Sequence, residues 1–163
     1  MSIEKEHFLS CIESNKGIIY KVANSYCKDV DDREDLIQEI ILQLWKAYPS
    51  YNPAYKLSTW MYRIALNVAI SAYRKASKRS QIYQPLSETA IYLEEDKIES
   101  NENRALLQAL IRELKEIDRA LILLYLDGYL YPEISKVLGL SESNVATKLS
   151  RIKQQLKQKF TAQ

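Results

Sequence analysis

A long stretch of this chain combines positive charge with aromatic rings and contains no acid. Between Glu39 and Glu88 there are seven Lys or Arg and eight Trp or Tyr, although the whole chain carries 21 acids in 163 residues. Positive side chains attract a phosphate backbone, and aromatic faces stack on unpaired bases. The stretch therefore predicts contact with single-stranded nucleic acid. An amphipathic helix with aromatic core residues and a solvated basic face explains its composition equally well.

A second candidate site lies near the C-terminus, where residues 131–156 fit a helix-turn-helix, with an ordinary helical hairpin as the alternative. Pro132 suits the first turn of one helix, Gly139 suits a left-handed turn, and Ser141 can cap the next helix. The outer face of that second helix would meet base edges and phosphates in the major groove. The residues predicted to contact duplex DNA are Ser141, Ser143, Asn144, Thr147, Lys148 and Arg151.

The charge pattern and composition support nucleic-acid partners and argue against an enzyme. Residues 51–80 hold six bases and no acid, residues 81–118 hold nine acids against four bases, and residues 119–163 hold seven bases against three acids. Two basic blocks separated by an acidic one are typical of nucleic-acid binding. The single His and the absence of clustered metal ligands or a glycine-rich phosphate loop predict no metal, no cofactor and no catalysis. Without an apolar leader or spanning segment, we expect a cytoplasmic protein with no membrane insertion.

The elements that must position these residues are all predicted to be helices, because apolar residues recur at three- and four-residue spacing and never alternate. The first pattern is interrupted near Asn15-Lys16-Gly17. The second helix is expected to begin at a cap of Asp31-Asp32 and to end at about Tyr48, since Pro49 cannot continue it. A long helix follows over residues 58–78. Its expected apolar stripe is Trp60, Met61, Ile64, Ala65, Val68 and Ala72.

The polar, acidic segment near residues 80–100 is too poor in apolar residues to pack alone, so we expect a linker there. The fold class is predicted to be all-α, with two small helical domains, residues 1–79 and 101–163, joined by this flexible linker. The apolar spacing that resumes after residue 101 predicts the helices of the second domain.

Several motifs together resemble one protein family. Residues 34–39 (Glu-Asp-Leu-Ile-Gln-Glu), 45–47 (Trp-Lys-Ala) and 57–67 (Leu-Ser-Thr-Trp-Met-Tyr-Arg-Ile-Ala-Leu-Asn) resemble region 2 of bacterial RNA polymerase sigma factors. Residues 128–156 resemble region 4 of the same family. The spacing leaves no room for a region 3 domain, which is similar to the extracytoplasmic-function group. The resemblance covers roughly residues 5–160 and implies an alternative sigma factor that directs promoter recognition and transcription initiation.

The resemblance also implies partners and site residues. The partners would be core RNA polymerase, through its β′ clamp helices and β flap, promoter DNA in duplex and melted form, and an anti-sigma factor. Core polymerase would dock on Asp35, Gln38, Glu39 and Leu42. The melted −10 element would contact Ala47, Tyr51, Arg63, Asn67, Arg74 and Lys75. The helix-turn-helix would form the −35 contacts given above.

The sequence departs from the family pattern at two places, and one alternative function remains open. Ala146 stands where the family commonly has a basic residue, so Lys148 or Arg151 would carry more of the phosphate contact. Residues 131–135 (Tyr-Pro-Glu-Ile-Ser) replace a more usual Glu-Glu-Ile-Ala sequence. The alternative function is a stand-alone helix-turn-helix transcriptional regulator. That alternative leaves the acidic helix face and the acid-free stretch without a role.

Overall fold

The computed structural model describes residues 2–82 and 102–161, and every regular element in these two ranges is a helix. The all-α prediction is confirmed. Among the described residues, no helix combines the length and the apolarity needed to cross a bilayer. The helices are α1 (Ser2–Tyr26), α2 (Val30–Ala47), α3 (Leu57–Ile82), α4 (Glu102–Glu113), α5 (Glu116–Leu126), α6 (Tyr131–Leu138) and α7 (Glu142–Thr161), with a single 3-10 turn at Tyr48–Ser50.

Helices α1 to α3 pack as a three-helix bundle, called here the N-terminal half. Side chains such as Val22 of α1, Ile40 of α2 and Ala65 of α3 are fully buried at its centre. The interruption predicted near residue 15 is confirmed, because Asn15 has φ −124° and ψ 18°, which are not helical, so that α1 consists of two helices joined at a kink. The side-chain amide of Asn15 donates to the Cys11 carbonyl oxygen at 3.0 Å.

Two details of the predicted helices are wrong. Asp29 caps α2 and accepts from the backbone N–H of Asp32 at 3.3 Å, so Asp31 and Asp32 lie in the first turn and do not form the cap. The expected apolar stripe of α3 is wrong at Ala72, which is exposed. The other five members of the stripe are buried or lie half-buried against the core, and the buried side is wider than the stripe. The residues of α3 that are buried are Met61, Tyr62, Ala65, Leu66, Ala69 and Ile70.

Helices α4 to α7 are called here the C-terminal half. In this half, α4, α6 and α7 pack against the apolar helix α5. Residues Ala120 to Leu124 of α5 are all buried. On α7 the four predicted inward residues, at positions 145, 149, 152 and 156, are buried as expected from their spacing. These residues hold α7 against α5 and α6, which fixes the orientation of its outer face.

The two halves contact each other, and their buried side chains form one continuous cluster. Helices α5 and α6 pack against α3, and α4 and α5 pack against α1. Helix α3 extends to Ile82, past the expected domain boundary at residue 79. Most of the linker expected at residues 80–100 lies outside the described residues.

Candidate nucleic-acid interface

The outer face of α2 carries the four residues expected to dock a partner. Asp35, Gln38 and Glu39 are exposed, and Leu42 exposes 44% of its surface. The side-chain amide of Gln43 donates to the Glu39 carboxylate at 2.9 Å. The opposite face is buried through Leu36, Ile40 and Leu44. Because an α-helix completes a turn every 3.6 residues, the four docking residues lie on the side of α2 opposite these buried residues and face solvent. The face offers carboxylate and amide oxygens as acceptors beside an exposed apolar side chain.

An aromatic cluster closes the end of the N-terminal half where α2 passes into the loop before α3. The ring centroids of Tyr51 and Trp60 are 4.9 Å apart, and those of Tyr48 and Phe8 are 5.2 Å apart. The Tyr51 hydroxyl donates to the Tyr55 carbonyl oxygen at 2.6 Å, which fixes the ring within the loop. Tyr51 and Trp60 are half-buried, so they combine packing with an accessible surface. Trp60, a member of the expected apolar stripe of α3, thus lies half-buried against the core.

Ala47 and the exposed face of α3 flank this cluster. Ala47 is half-buried at the last position of α2. Arg63 and Asn67 are both exposed and lie one helical turn apart. Arg74 follows Asn67 after about two further turns on the same face, and Lys75 is also exposed. The structure therefore places Arg63, Asn67 and Arg74 along one face of α3, with Lys75 beside them, while Ala47 and Tyr51 precede α3 in the chain.

The turn of the helix-turn-helix has the predicted geometry. Gly139 adopts φ 70° and ψ 31°, a left-handed conformation that costs other residues energy. The Ser141 hydroxyl accepts from the backbone N–H of Asn144 at 3.1 Å and so caps α7. Helix α6 begins at Tyr131, and the Glu133 carboxylate accepts from the backbone N–H of Leu130 at 3.1 Å. The unusual sequence of α6 thus supplies its own N-terminal hydrogen bond.

The outer face of α7 is accessible near its N-terminus, and two cations further along α7 have partners within the C-terminal half. The Lys153 ammonium lies 4.0 Å from the Tyr125 ring centre and donates to the Tyr131 hydroxyl at 3.5 Å, and interaction with Tyr125, followed by Tyr131, raises the pKa of Lys153. Lys159 pairs with Glu113 at 3.1 Å. Both cations are therefore engaged within the C-terminal half. Lys148 is half-buried, whereas the other expected −35 residues are exposed: Ser141, Ser143, Asn144, Thr147 and Arg151.

Sequence patterns missed one group of residues, the polar side chains that join the two halves. Arg119 is buried at 6% exposure, and its guanidinium donates to the Ser25 carbonyl oxygen at 3.2 Å. Asp127 accepts from the Tyr62 hydroxyl and pairs with Lys21. Burial, followed by the hydrogen bond to Asp127, raises the pKa of Tyr62 above its usual range. An arginine directly before an apolar run of α5 is the one local signal that could have indicated such a contact.

Each half of the structure matches a known protein-family model. A family model for sigma-70 region 2 matches residues 11–79. A second family model, for sigma-70 region 4, matches residues 104–156. The matches contain all the residues expected at the polymerase, −10 and −35 surfaces.

The chain is similar to curated sigma factors of Bacillus subtilis along most of its length. It is 31% identical to the ECF RNA polymerase sigma factor SigM, covering 85% of this chain and 86% of that protein. It is 27% identical to the RNA polymerase sigma factor SigV, covering 90% of this chain and 87% of that protein. The matches with these two proteins extend across both halves.

Two solved structures share the fold. The sigma factor RpoE, solved in complex with the anti-sigma factor NepR from Bartonella quintana, aligns with a TM-score of 0.67 at 19% identity and covers 97% of this chain and 96% of that chain. CnrH, solved in complex with the cytosolic domain of CnrY, aligns with a TM-score of 0.68 at 21% identity, covering 97% of this chain and 90% of that chain.

Proposed function

The chain belongs to the extracytoplasmic-function group of the sigma-70 family. From this premise we propose that three of its surfaces bind, respectively, core polymerase, the −10 element and the −35 element. The family binds core RNA polymerase and directs it to promoters. In the proposal, residues 1–79 dock polymerase and open the −10 element, residues 80–100 connect the two regions, and residues 101–163 read the −35 element. The chain contributes recognition and no bond chemistry of its own, and it acts in the cytoplasm.

The polymerase surface is the outer face of α2. The observation that carries the proposal is the exposure of Asp35, Gln38, Glu39 and Leu42 on one side of a helix whose other side is buried. Acidic and amide oxygens at helical spacing can accept hydrogen bonds from the basic β′ clamp helices of polymerase. Leu42 supplies apolar area within the same contact.

The −10 surface runs from Ala47 and Tyr51 along α3. Tyr51 offers a ring held by Trp60 and by the Tyr55 carbonyl oxygen, and Asn67 offers both a donor and an acceptor for a base edge. Arg63, Arg74 and Lys75 would hold phosphates of the displaced strand. Each stacking step lost in melting costs about 1.4 kcal/mol. Each base captured on an aromatic side chain returns about 1–3 kcal/mol, so one or two captured bases help to stabilise the open state.

The −35 surface is the N-terminal half of α7, which a helix-turn-helix inserts into the major groove. Ser143, Asn144 and Thr147 are exposed and can reach base edges. Arg151, on the same face, can reach a phosphate or a guanine. The β flap of polymerase is the expected protein partner of this half.

We also propose that an anti-sigma factor holds this chain inactive. The supporting observation is that the aligned sigma factor RpoE was solved with the anti-sigma factor NepR. Within the described part of the chain the proposed polymerase surface on α2 is exposed, and a bound inhibitor could block it.

Pull-down with core RNA polymerase tests the proposed docking surface. The double substitution Asp35→Arg with Gln38→Arg should abolish retention of polymerase, because it places cations opposite basic clamp helices. The matched control is Glu102→Arg with Gln108→Arg, which makes the same change of charge on exposed positions of α4 and should retain binding. No binding by the unaltered chain, or equal binding by both doubles, would instead favour the stand-alone regulator or a different docking face.

A further inference from the structure

One cation of the proposed −10 surface is already paired with a carboxylate from the other half of the chain. The Nε of Arg74 on α3 lies 3.1 Å from the Glu116 carboxylate on α5. The Glu116 side chain is 26% exposed and the Arg74 side chain is 57% exposed. A carboxylate accepts a guanidinium hydrogen bond with the same geometry as a phosphate oxygen. Glu116 therefore occupies Arg74 in the way that a DNA backbone would.

The Glu116 carboxylate is also fixed before it meets Arg74. It lies in the first turn of α5, where the partial positive charge of a helix N-terminus favours an anion. The hydrogen bond from its own backbone N–H, followed by Arg74 and Arg119, lowers the pKa of Glu116. The group is thus a preorganised anion at neutral pH.

Contacts on both sides of this pair hold α5 against the N-terminal half. The Arg119 guanidinium lies 4.5 Å from the Tyr73 ring centre and 5.4 Å from the Tyr26 ring centre. At the other end of α5, Asp127 pairs with Lys21 and accepts from Tyr62. The Arg74–Glu116 pair is therefore placed by a packed interface, and it does not depend on a chance meeting of two long side chains.

The position of Glu116 matters for a strand that follows α3. Arg63 and Asn67 are exposed while the two halves are in contact, but the path beyond Asn67 leads to Arg74 and its carboxylate partner. A phosphate that approaches Arg74 would meet a negative charge and a cation with part of its hydrogen-bonding capacity already used. Salt screens the repulsion between the Glu116 carboxylate and an approaching phosphate but does not remove it.

We propose that Glu116 is an intramolecular competitor of the DNA phosphate for Arg74, so that contact between the two halves is a low-affinity state for single-stranded DNA. The inference rests on the proposed role of Arg74 as a strand contact. It assigns to α5 a function besides supporting the helix-turn-helix. Capture of the −10 strand at Arg74 and release of Glu116 are then coupled.

The test measures binding of a short fluorescein-labelled single-stranded DNA of mixed sequence to the full chain, by fluorescence anisotropy without polymerase. Glu116→Gln removes the charge and keeps the shape of the side chain. Asp118→Asn is the matched control, because it removes one charge from the same helix two residues away. Glu116→Gln should bind about two- to fivefold more tightly than Asp118→Asn, as expected for a partly exposed ion pair, and the gain should shrink at high salt.

The same substitution in an Arg74→Ala background identifies the residue for which Glu116 competes. The gain should disappear there, because no cation remains to be released. Equal binding by Glu116→Gln and Asp118→Asn, undetectable binding by Glu116→Gln, or a gain that persists with Arg74→Ala would each overturn the inference. None of these outcomes affects the polymerase pull-down, which compares substitutions on α2 and α4 and changes neither Glu116 nor Arg74, so failure of the competitor role is distinguishable from failure of the proposed sigma-factor surfaces.

Discussion

The guanidinium of Arg119 lies over the ring of Tyr73 at 4.5 Å and donates to its hydroxyl at 3.4 Å. These residues belong to different halves of the chain, 46 positions apart. The same guanidinium donates to the Leu114 carbonyl oxygen at 2.8 Å within its own half. Arg119 therefore satisfies carbonyl groups of both halves from one buried position, and its planar array of donors is what makes this possible.

Arg119→Lys should destabilise the chain although it keeps the positive charge. An ammonium cannot reproduce the fork of guanidinium donors, so buried carbonyl oxygens would lose their partners at a cost of about 1–3 kcal/mol. Urea denaturation followed by circular dichroism measures the change in the free energy of unfolding. Arg104→Lys, at an exposed position of α4, is the control and should have little effect. Equal stability of the two variants would show that the Arg119 contacts do not hold the halves together.

Gly139→Ala should destabilise the helix-turn-helix because residue 139 has φ 70°. A left-handed conformation costs a residue with a Cβ about 1–2 kcal/mol, although the added methyl group would meet no atom within 4 Å.

Gly17→Ala should have the opposite effect on the free energy of unfolding and stabilise α1 by roughly 0.5–1 kcal/mol, since Gly17 is an exposed glycine inside a helix. Thermal unfolding of both variants is the measurement. A loss of stability from both substitutions would contradict this conformational explanation.

Asn67→Ala should reduce promoter opening more than duplex binding. The exposed amide is placed to bond a captured base, and it would act only after the strands separate. Permanganate reactivity of unpaired thymines reports opening by the complex with polymerase, and electrophoretic mobility reports closed binding. Ser71→Ala, one turn further along α3, is the control and should leave both unchanged. Equal losses in opening and in binding would refute base capture by Asn67.

Arg151→Ala should weaken recognition of the −35 duplex by about 1–3 kcal/mol if the guanidinium reaches a base. Lys157→Ala removes an exposed cation further along α7 and should cause a smaller, sequence-independent loss. Footprinting by holoenzyme on promoters that differ only in the −35 element separates the two effects. A footprint unchanged by Arg151→Ala would exclude a base contact.

The helices and the outward face of α7 could be predicted from sequence because both depend on local spacing. Apolar residues four and three apart identified the buried side of α7, and Gly139 and Ser141 identified its turn and cap. The cap of α2 was predicted at Asp31-Asp32 and lies at Asp29, because any of these carboxylates can cap a helix and sequence does not show that the backbone is extended at residue 29 and already helical at residues 31 and 32.

The contacts between the halves could not be predicted from sequence in the same way. Glu116 meets Arg74 across 42 positions, and Asp127 meets Tyr62 across 65. Such pairs leave no periodic pattern, because they depend on how two helical units pack. The same packing widens the buried side of α3, since Tyr62 donates to Asp127 and packs against the Tyr129 ring of the other half.

Run-off transcription with core RNA polymerase over a randomised promoter library tests the central claim most directly. The chain should direct transcripts from templates that share two conserved elements, and Asp35→Arg with Gln38→Arg should abolish them while Glu102→Arg with Gln108→Arg should not. Transcription no different from that of core polymerase alone, with the chain present and folded, would contradict the account.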